Sequence, residues 1–231
     1  MSKSELCYLC GELIAAGEMS RDHVPPKVLF PTSLRPGLQL LRKLPAHREC
    51  NGSFSDDEEY FRAKILMMSE RTEGAEAQLR DFLDSVPKSL SLAKRLAGDL
   101  TNTTPAGLTL PAGVIGMNYD GTRTDRVVWK IARGLAFRHY GELLPSAPKP
   151  SATIGLLQGP QFLRLLKGHE YFQHVRKVVV SREAFSYAYG TERGEGAHLT
   201  VFFLEFLSAV VGYAIFHNTD CECPSCADRT K

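Results

Sequence analysis

Along the 231 residues the spacing of apolar positions separates three kinds of segment. Residues 1–55 are rich in Pro, Cys and His and hold no long periodic pattern, so they read as short strands and loops. From Ser55 the pattern turns helical: in SDDEEYFRAKILMMSE (55–70) Tyr60, Ala63, Ile65 and Leu66 supply an approximate apolar face. Ser55 followed three residues later by Glu58 predicts a capping box at its start. EGAEAQLRDFLDSV (73–86) predicts a second helix, with Leu79, Phe82 and Leu83 at helical spacing and Pro87 ending it. SLSLAKRLAGDL predicts a short third. The Pro/Gly/Thr/Asn-rich stretch 101–124 reads as a strand or two and a loop. DRVVWKIARGLAFRHYGELLP (125–145) is helical again. There Val127, Val128, Ile131 and Leu135 face one way, and Arg126, Lys130 and Arg133 form another stripe. After the linker PSAPKPSA (145–152), VRKVVVS and FSYAYGTERGEGAHLTVFFLEF predict strands around a glycine-containing hairpin loop. The expected class is α+β, with a small N-terminal unit (1–70) followed by a helical and antiparallel-β region (71–231).

Composition narrows this picture only a little. Hydrophobic residues are 43% and charged residues 23%, ordinary values for a globular protein. A chain of this size can bury a core without disulfides. The richest apolar run, LTVFFLEFLSAVVGYAIF (199–216), is interrupted by Glu205, Ser208 and Gly212, and no membrane-spanning helix or membrane partner is expected. MSKSELCYLCGE lacks the apolar core of a signal peptide, so the expected location is the cytoplasm. The formal net charge is +2, but residues 121–182 hold eleven Lys/Arg against three Asp/Glu, a net of +8. Arg126, Lys130 and Arg133 are therefore candidate contacts to the phosphates of a nucleic acid.

The cysteines change the picture most. Cys7 and Cys10 form CxxC, and His47 and Cys50 form HxxC, with 36 residues between the two motifs. In a cytosolic chain, cysteines in such clusters bind metal more often than they pair. Each two-residue gap lets one tight turn present two ligands, and three thiolates with one imidazole make a tetrahedral structural Zn2+ site. Everything between Cys10 and His47 then becomes a loop held over that knot. Asp22-His23 lies in this loop, and Asn51 directly follows Cys50. Asp22 and Asn51 offer oxygens suited to a catalytic divalent cation such as Mg2+. Neighbours on a strand point to opposite sides, so His23 is free to serve as a general base. Cys221, Cys223 and Cys226, with His217 nearby, are candidates for a second zinc.

Cys7/Cys10, RDHVPP and LPAHRECN together resemble the HNH endonucleases, the zinc-containing ββα-metal nucleases. The resemblance covers residues 7 to about 62. It implies a ββα-metal fold, His23 as general base, and a catalytic cation on Asp22 and Asn51. It also implies zinc on Cys7, Cys10, His47 and Cys50, and cleavage of phosphodiester bonds in nucleic acid, DNA rather than RNA. The sequence departs from the family pattern at three points. His47 replaces the first cysteine of the second knuckle. The family's middle Asn has no counterpart in LRPGLQLLRKLPAH, and no lysine follows Asn51, where NGSFSDDEE is acidic. Asp56 or Asp57 would add a metal ligand or, alternatively, favour a helix N-terminus. The competing reading is a non-catalytic zinc module that binds nucleic acid or a protein.

Overall fold

A computed structural model describes residues 5–37, 42–69, 72–85, 90–118, 120–141, 143, 151–155, 176–191 and 199–217. The chain is α+β. Strands β1 (Met19–Val24) and β2 (Arg42–His47) pair antiparallel, with Asp22 opposite Leu44 and His23 opposite Lys43. The short helix α1 (Arg48–Gly52) leaves β2 at once, and α2 (Ser55–Met68) follows. Ahead of β1 the CxxC segment folds into a tight turn closed by a bridge between Leu6 and Leu13. Gly11 sits in that turn at φ 90°, a conformation that disfavours any residue with a Cβ.

Helices α3 (Glu73–Ser85) and α4 (Leu90–Asp99) come next, then the two-residue strands β3 (Leu100–Thr101) and β4 (Gly116–Met117). Helix α5 (Gly121–Tyr140) begins four residues earlier than periodicity alone predicts. The reason is Asp120, whose side chain caps the helix by accepting from the backbone N–H of Thr122 at 3.0 Å and Arg123 at 3.4 Å. Gly141, left-handed at φ 73°, closes the other end. The rest is a five-stranded antiparallel sheet of β5 (Ser151–Gly155), β6 (Arg176–Ser181), β7 (Phe185–Thr191), β8 (Leu199–Phe206) and β9 (Val210–His217), in the order β5-β9-β8-β7-β6.

Helix α5 is the axis of the molecule. Val127, Val128, Ile131 and Leu135 are essentially fully buried, as their spacing predicts. One continuous core runs from Tyr8, Val24 and Phe30 through Phe61 and Ile131 to Phe185 and Phe206, so residues on both sides of position 70 share it. The approach of α5 to β1 is close at Gly134, where an added Cβ would lie 2.7 Å from Val24 and 3.1 Å from Tyr8. That contact draws the middle of α5 down onto the N-terminal unit.

Three local expectations change. The capping box does not form: Phe54 precedes the first turn of α2, no side chain caps it, and Glu58 turns to another partner. The strands expected as far as Phe206 are followed by one more, β9, which pairs with β8 in a hairpin turning through Leu207 and Ser208 at φ 52° and 58°. No glycine or asparagine marks that turn, so the usual hairpin signal is missing. The basic stripe of α5 does not face solvent. Lys130 is fully buried and Arg133 is 4% exposed, so neither offers its charge to a surface phosphate, and only Arg126 stays half-exposed. Among the described residues no helix is long and apolar enough to cross a membrane.

Candidate metal centre and the adjoining Asp22 cluster

The two zinc half-motifs meet as their spacing predicts. One ligand atom each from Cys7, Cys10, His47 and Cys50 falls within 4.8 Å of all the others. A tetrahedral ion with metal–sulfur bonds of about 2.3 Å places its ligands about 3.8 Å apart, so the set fits such an ion in size as well as in chemistry. His47 Nδ1 faces the Sγ of Cys10 at 3.3 Å and of Cys50 at 3.9 Å. Its other nitrogen, Nε2, lies 3.3 Å from the carbonyl of Leu13. That partner accepts the ring N–H and leaves Nδ1 as the ligand atom. The backbone N–H of His47 donates to Cys7 Sγ at 3.4 Å.

Electrostatics in this set are those of thiols waiting for a cation. Burial pushes the Cys7 thiol up, but N–H groups of Cys10, His47 and Leu9 and the Cys10 thiol outweigh it and bring it down to about 7. Burial and the neighbouring Cys7 and Cys10 sulfurs push Cys50 up to about 12. A metal ion would remove that mutual repulsion and hold all three as thiolates.

A second cluster adjoins the first. Asp22, 6% exposed, points from β1 toward α1. The Tyr8 hydroxyl donates to Asp22 Oδ2 at 2.5 Å, and Lys130 Nζ reaches the same oxygen at 2.8 Å. Lys130 also bonds the Glu58 carboxylate and lies 5.1 Å from the centre of the Phe54 ring. One end of the Asn51 amide lies 3.1 Å from both Asp22 oxygens and 3.3 Å from Lys130 Nζ. An amide oxygen there would accept from Lys130 but face a carboxylate. The nitrogen there donates to Asp22 while the oxygen accepts from Ser20 Oγ at 3.3 Å. The second arrangement satisfies more partners. Burial and the Asp22 charge hold the Tyr8 hydroxyl well above the ordinary phenol range, so it remains a donor. Burial likewise raises the Glu58 carboxyl, with the Lys130 charge pulling the other way.

These residues do not fit a divalent cation. The Asp22 oxygen that would hold one already accepts from a phenol and an ammonium. At about 4 Å and an effective dielectric of about 20, two unit charges interact by about 4 kcal/mol, so a divalent ion beside Lys130 would meet about twice that repulsion. The expectation of a catalytic cation on Asp22 and Asn51 therefore finds no support in the geometry. Asp57 is not free for a cation either, since it is clamped by Arg123 at 2.6 Å and by Arg126. Its place in the first turn of α2 agrees with the helix-terminus alternative.

His23 lies on the other face of β1, half-buried, with Asp22 pointing away from it. Among the described residues no hydrogen bond holds its ring, in keeping with the missing middle Asn. Burial, then the charges of Lys27 and Lys43, hold its imidazole below the usual value against the pull of Asp22. Lys27 and Lys43 are both exposed, and they, not the α5 stripe, put positive charge beside His23.

Sequence reasoning missed Tyr8, Glu58 and Lys130 in this cluster, and Lys27 and Lys43 around His23. No local signal marked Lys130, which shares its helix stripe with Arg126 and Arg133. Arg133 is likewise inward, its Nε donating to the Tyr8 carbonyl at 2.8 Å. Trp129 stacks on Phe54 within the fold, and His139 meets the Tyr187 hydroxyl at 2.9 Å. Cys221, Cys223 and Cys226 lie outside the described residues. The chain matches no family model, no curated protein and no solved structure.

Proposed function

We propose that the protein hydrolyses phosphodiester bonds of nucleic acid, DNA in the first instance, as its resemblance to the HNH endonucleases implies. One observation carries the reading. His23 stands half-buried on the face of β1 away from Asp22, with the charges of Lys27 and Lys43 beside it, on the strand paired with the one that leads into a four-residue Cys/His set. Zinc on Cys7, Cys10, His47 and Cys50 would tie the CxxC turn to the start of α1 and take no part in the reaction. His23, kept neutral near pH 7 by its surroundings, is suited to take a proton from water. The water oxygen bonds to phosphorus, the ester P–O bond breaks, and the leaving oxygen takes a proton from solvent. Lys27 and Lys43 would hold the phosphate near the ring. The non-catalytic reading is favoured by one feature, the burial of Asp22 under Lys130. It expects nucleic-acid binding without cleavage.

The test is cleavage of plasmid DNA and of RNA by the wild type and by His23→Ala. The variant should lose about 10²–10⁴-fold in rate, the usual worth of a positioned base, while zinc content and melting temperature stay unchanged. Equal cleavage by both proteins would remove His23 from the reaction and the assignment with it.

A further inference from the structure

We infer that Lys130 is the resident cation of the Asp22 cluster, so that this centre carries no second metal ion. The inference rests on the nuclease reading for its functional meaning, though its geometry does not. Lys130 is fully buried, and its ammonium contacts Asp22 Oδ2 at 2.8 Å and the Glu58 carboxylate. Two of the three donors of the ammonium go to these carboxylates, and the Phe54 ring centre lies 5.1 Å from it. Asp22 is engaged at both oxygens. Oδ2 accepts from Tyr8 and Lys130, and the Asn51 nitrogen lies 3.1 Å from both oxygens. A divalent ion would have to expel the ammonium from its two carboxylates or share the site with it.

The position of Lys130 is built by the fold. Gly134 lets α5 approach Val24 more closely than a Cβ would permit, one turn beyond Lys130. Lys130 is thus a positioning residue. Through Asp22 it fixes β1 against α5 and so holds the strand that carries His23. Two carboxylates share its one positive charge. That local excess of negative charge is what would draw a metal ion were the lysine absent.

Titration of zinc-loaded protein with Mn2+, followed by electron paramagnetic resonance, tests this directly. Wild type should show no Mn2+ site sensitive to Asp22→Asn. Lys130→Ala should acquire one, tighter by at least about a hundred-fold, since both the repulsion and the steric block are gone. Lys130→Ala/Asp22→Asn should lose it again. An Asp22-dependent Mn2+ site in wild type overturns the inference, whether or not the lysine variants fold. So does a folded Lys130→Ala that gains nothing. Should Lys130→Ala not fold, Lys130→Gln takes its place with the same expectations. A wild type that cleaves nothing yet shows this Mn2+ pattern loses the nuclease reading and keeps the resident cation. One that cleaves only through an Asp22-dependent metal ion does the reverse.

Discussion

The Cys/His set and the Asp22 cluster share helix α1 and one connecting residue, yet they treat positive charge in opposite ways. Tyr8 links them, following Cys7 in the chain and bonding Asp22 by its hydroxyl. In the first, three thiols and an imidazole converge, and the thiols repel one another's ionisation. In the second, the acidic groups converge on an ammonium supplied from a helix more than seventy residues away. One arrangement is complete only with an ion from outside. The other is complete as folded. Ligand-like residues at ligand-like spacing therefore do not by themselves mark a metal site; what matters is whether the fold has already filled it.

The largest effect should come from emptying the first cluster. Cys10→Ser removes one of four ligands without disturbing the core, since Cys10 is exposed while Cys7 is buried. Structural zinc contributes on the order of 10 kcal/mol to folding in small finger peptides, and a unit sharing a larger core should still lose about 3 kcal/mol or more. For a chain of this size that corresponds to a fall in melting temperature on the order of 10 °C. Metal analysis should drop from about one zinc per chain to well below one. Full zinc content with unchanged melting in the variant would break the comparison at its first term.

Asp22→Asn probes the second cluster and should cost less. Removing one partner of a buried ion pair is worth about 3–5 kcal/mol when the survivor is left alone. Here Glu58 still faces Lys130, so a loss of about 2–3 kcal/mol is expected, with zinc content unchanged. Thermal unfolding with parallel metal analysis separates the two clusters. Zinc lost along with stability would mean that Tyr8 couples them into one unit.

The first cluster was legible in the sequence because its ligands come in two short local motifs, and a turn of two residues between ligands has few geometries. Asn51 was legible for a related reason, since it directly follows Cys50 in α1, whereas Asp22, twelve residues beyond Cys10, stood out through the Asp-His pair of the family resemblance. Lys130, Glu58 and Tyr8 were not. Their meeting depends on how α5 crosses β1, a tertiary fact decided at Gly134 that no local period encodes. The same cause misplaced the basic stripe. Arg126, Lys130 and Arg133 do share a helical face, but that face is turned toward the carboxylates of β1 and α2 and the backbone of the CxxC turn. The helices were read well, because α3, α4 and α5 have clear apolar periods. Strand β9 was not separated from β8, because their turn uses Leu207 and Ser208 in place of glycine.

The smallest effect is expected at the rim of that face, and it sharpens the boundary of the second cluster. Arg126 is 46% exposed at its side chain, and its partner Asp57 is also held by Arg123 at 2.6 Å. Loss of a half-exposed, redundant ion pair costs about 0.5 kcal/mol or less, because water and salt already screen it. Arg126→Gln should therefore melt within about 2 °C of wild type, the shift that such a loss gives a chain of this length. It should also leave nucleic-acid binding with the same salt dependence, since Arg126 is engaged with Asp57 and with the Phe54 ring at 4.8 Å. Lys27→Gln/Lys43→Gln is the contrast. Those exposed charges flank His23, and if each meets one phosphate the slope of log affinity against log salt should flatten by roughly two units. Binding measured over a salt series compares the two variants in one experiment. A flattening of about one unit in Arg126→Gln, with none in the double variant, would place the phosphate track along α5. Lys130 would then be the buried end of a nucleic-acid surface, and the division between the filled cluster and the binding face would no longer hold.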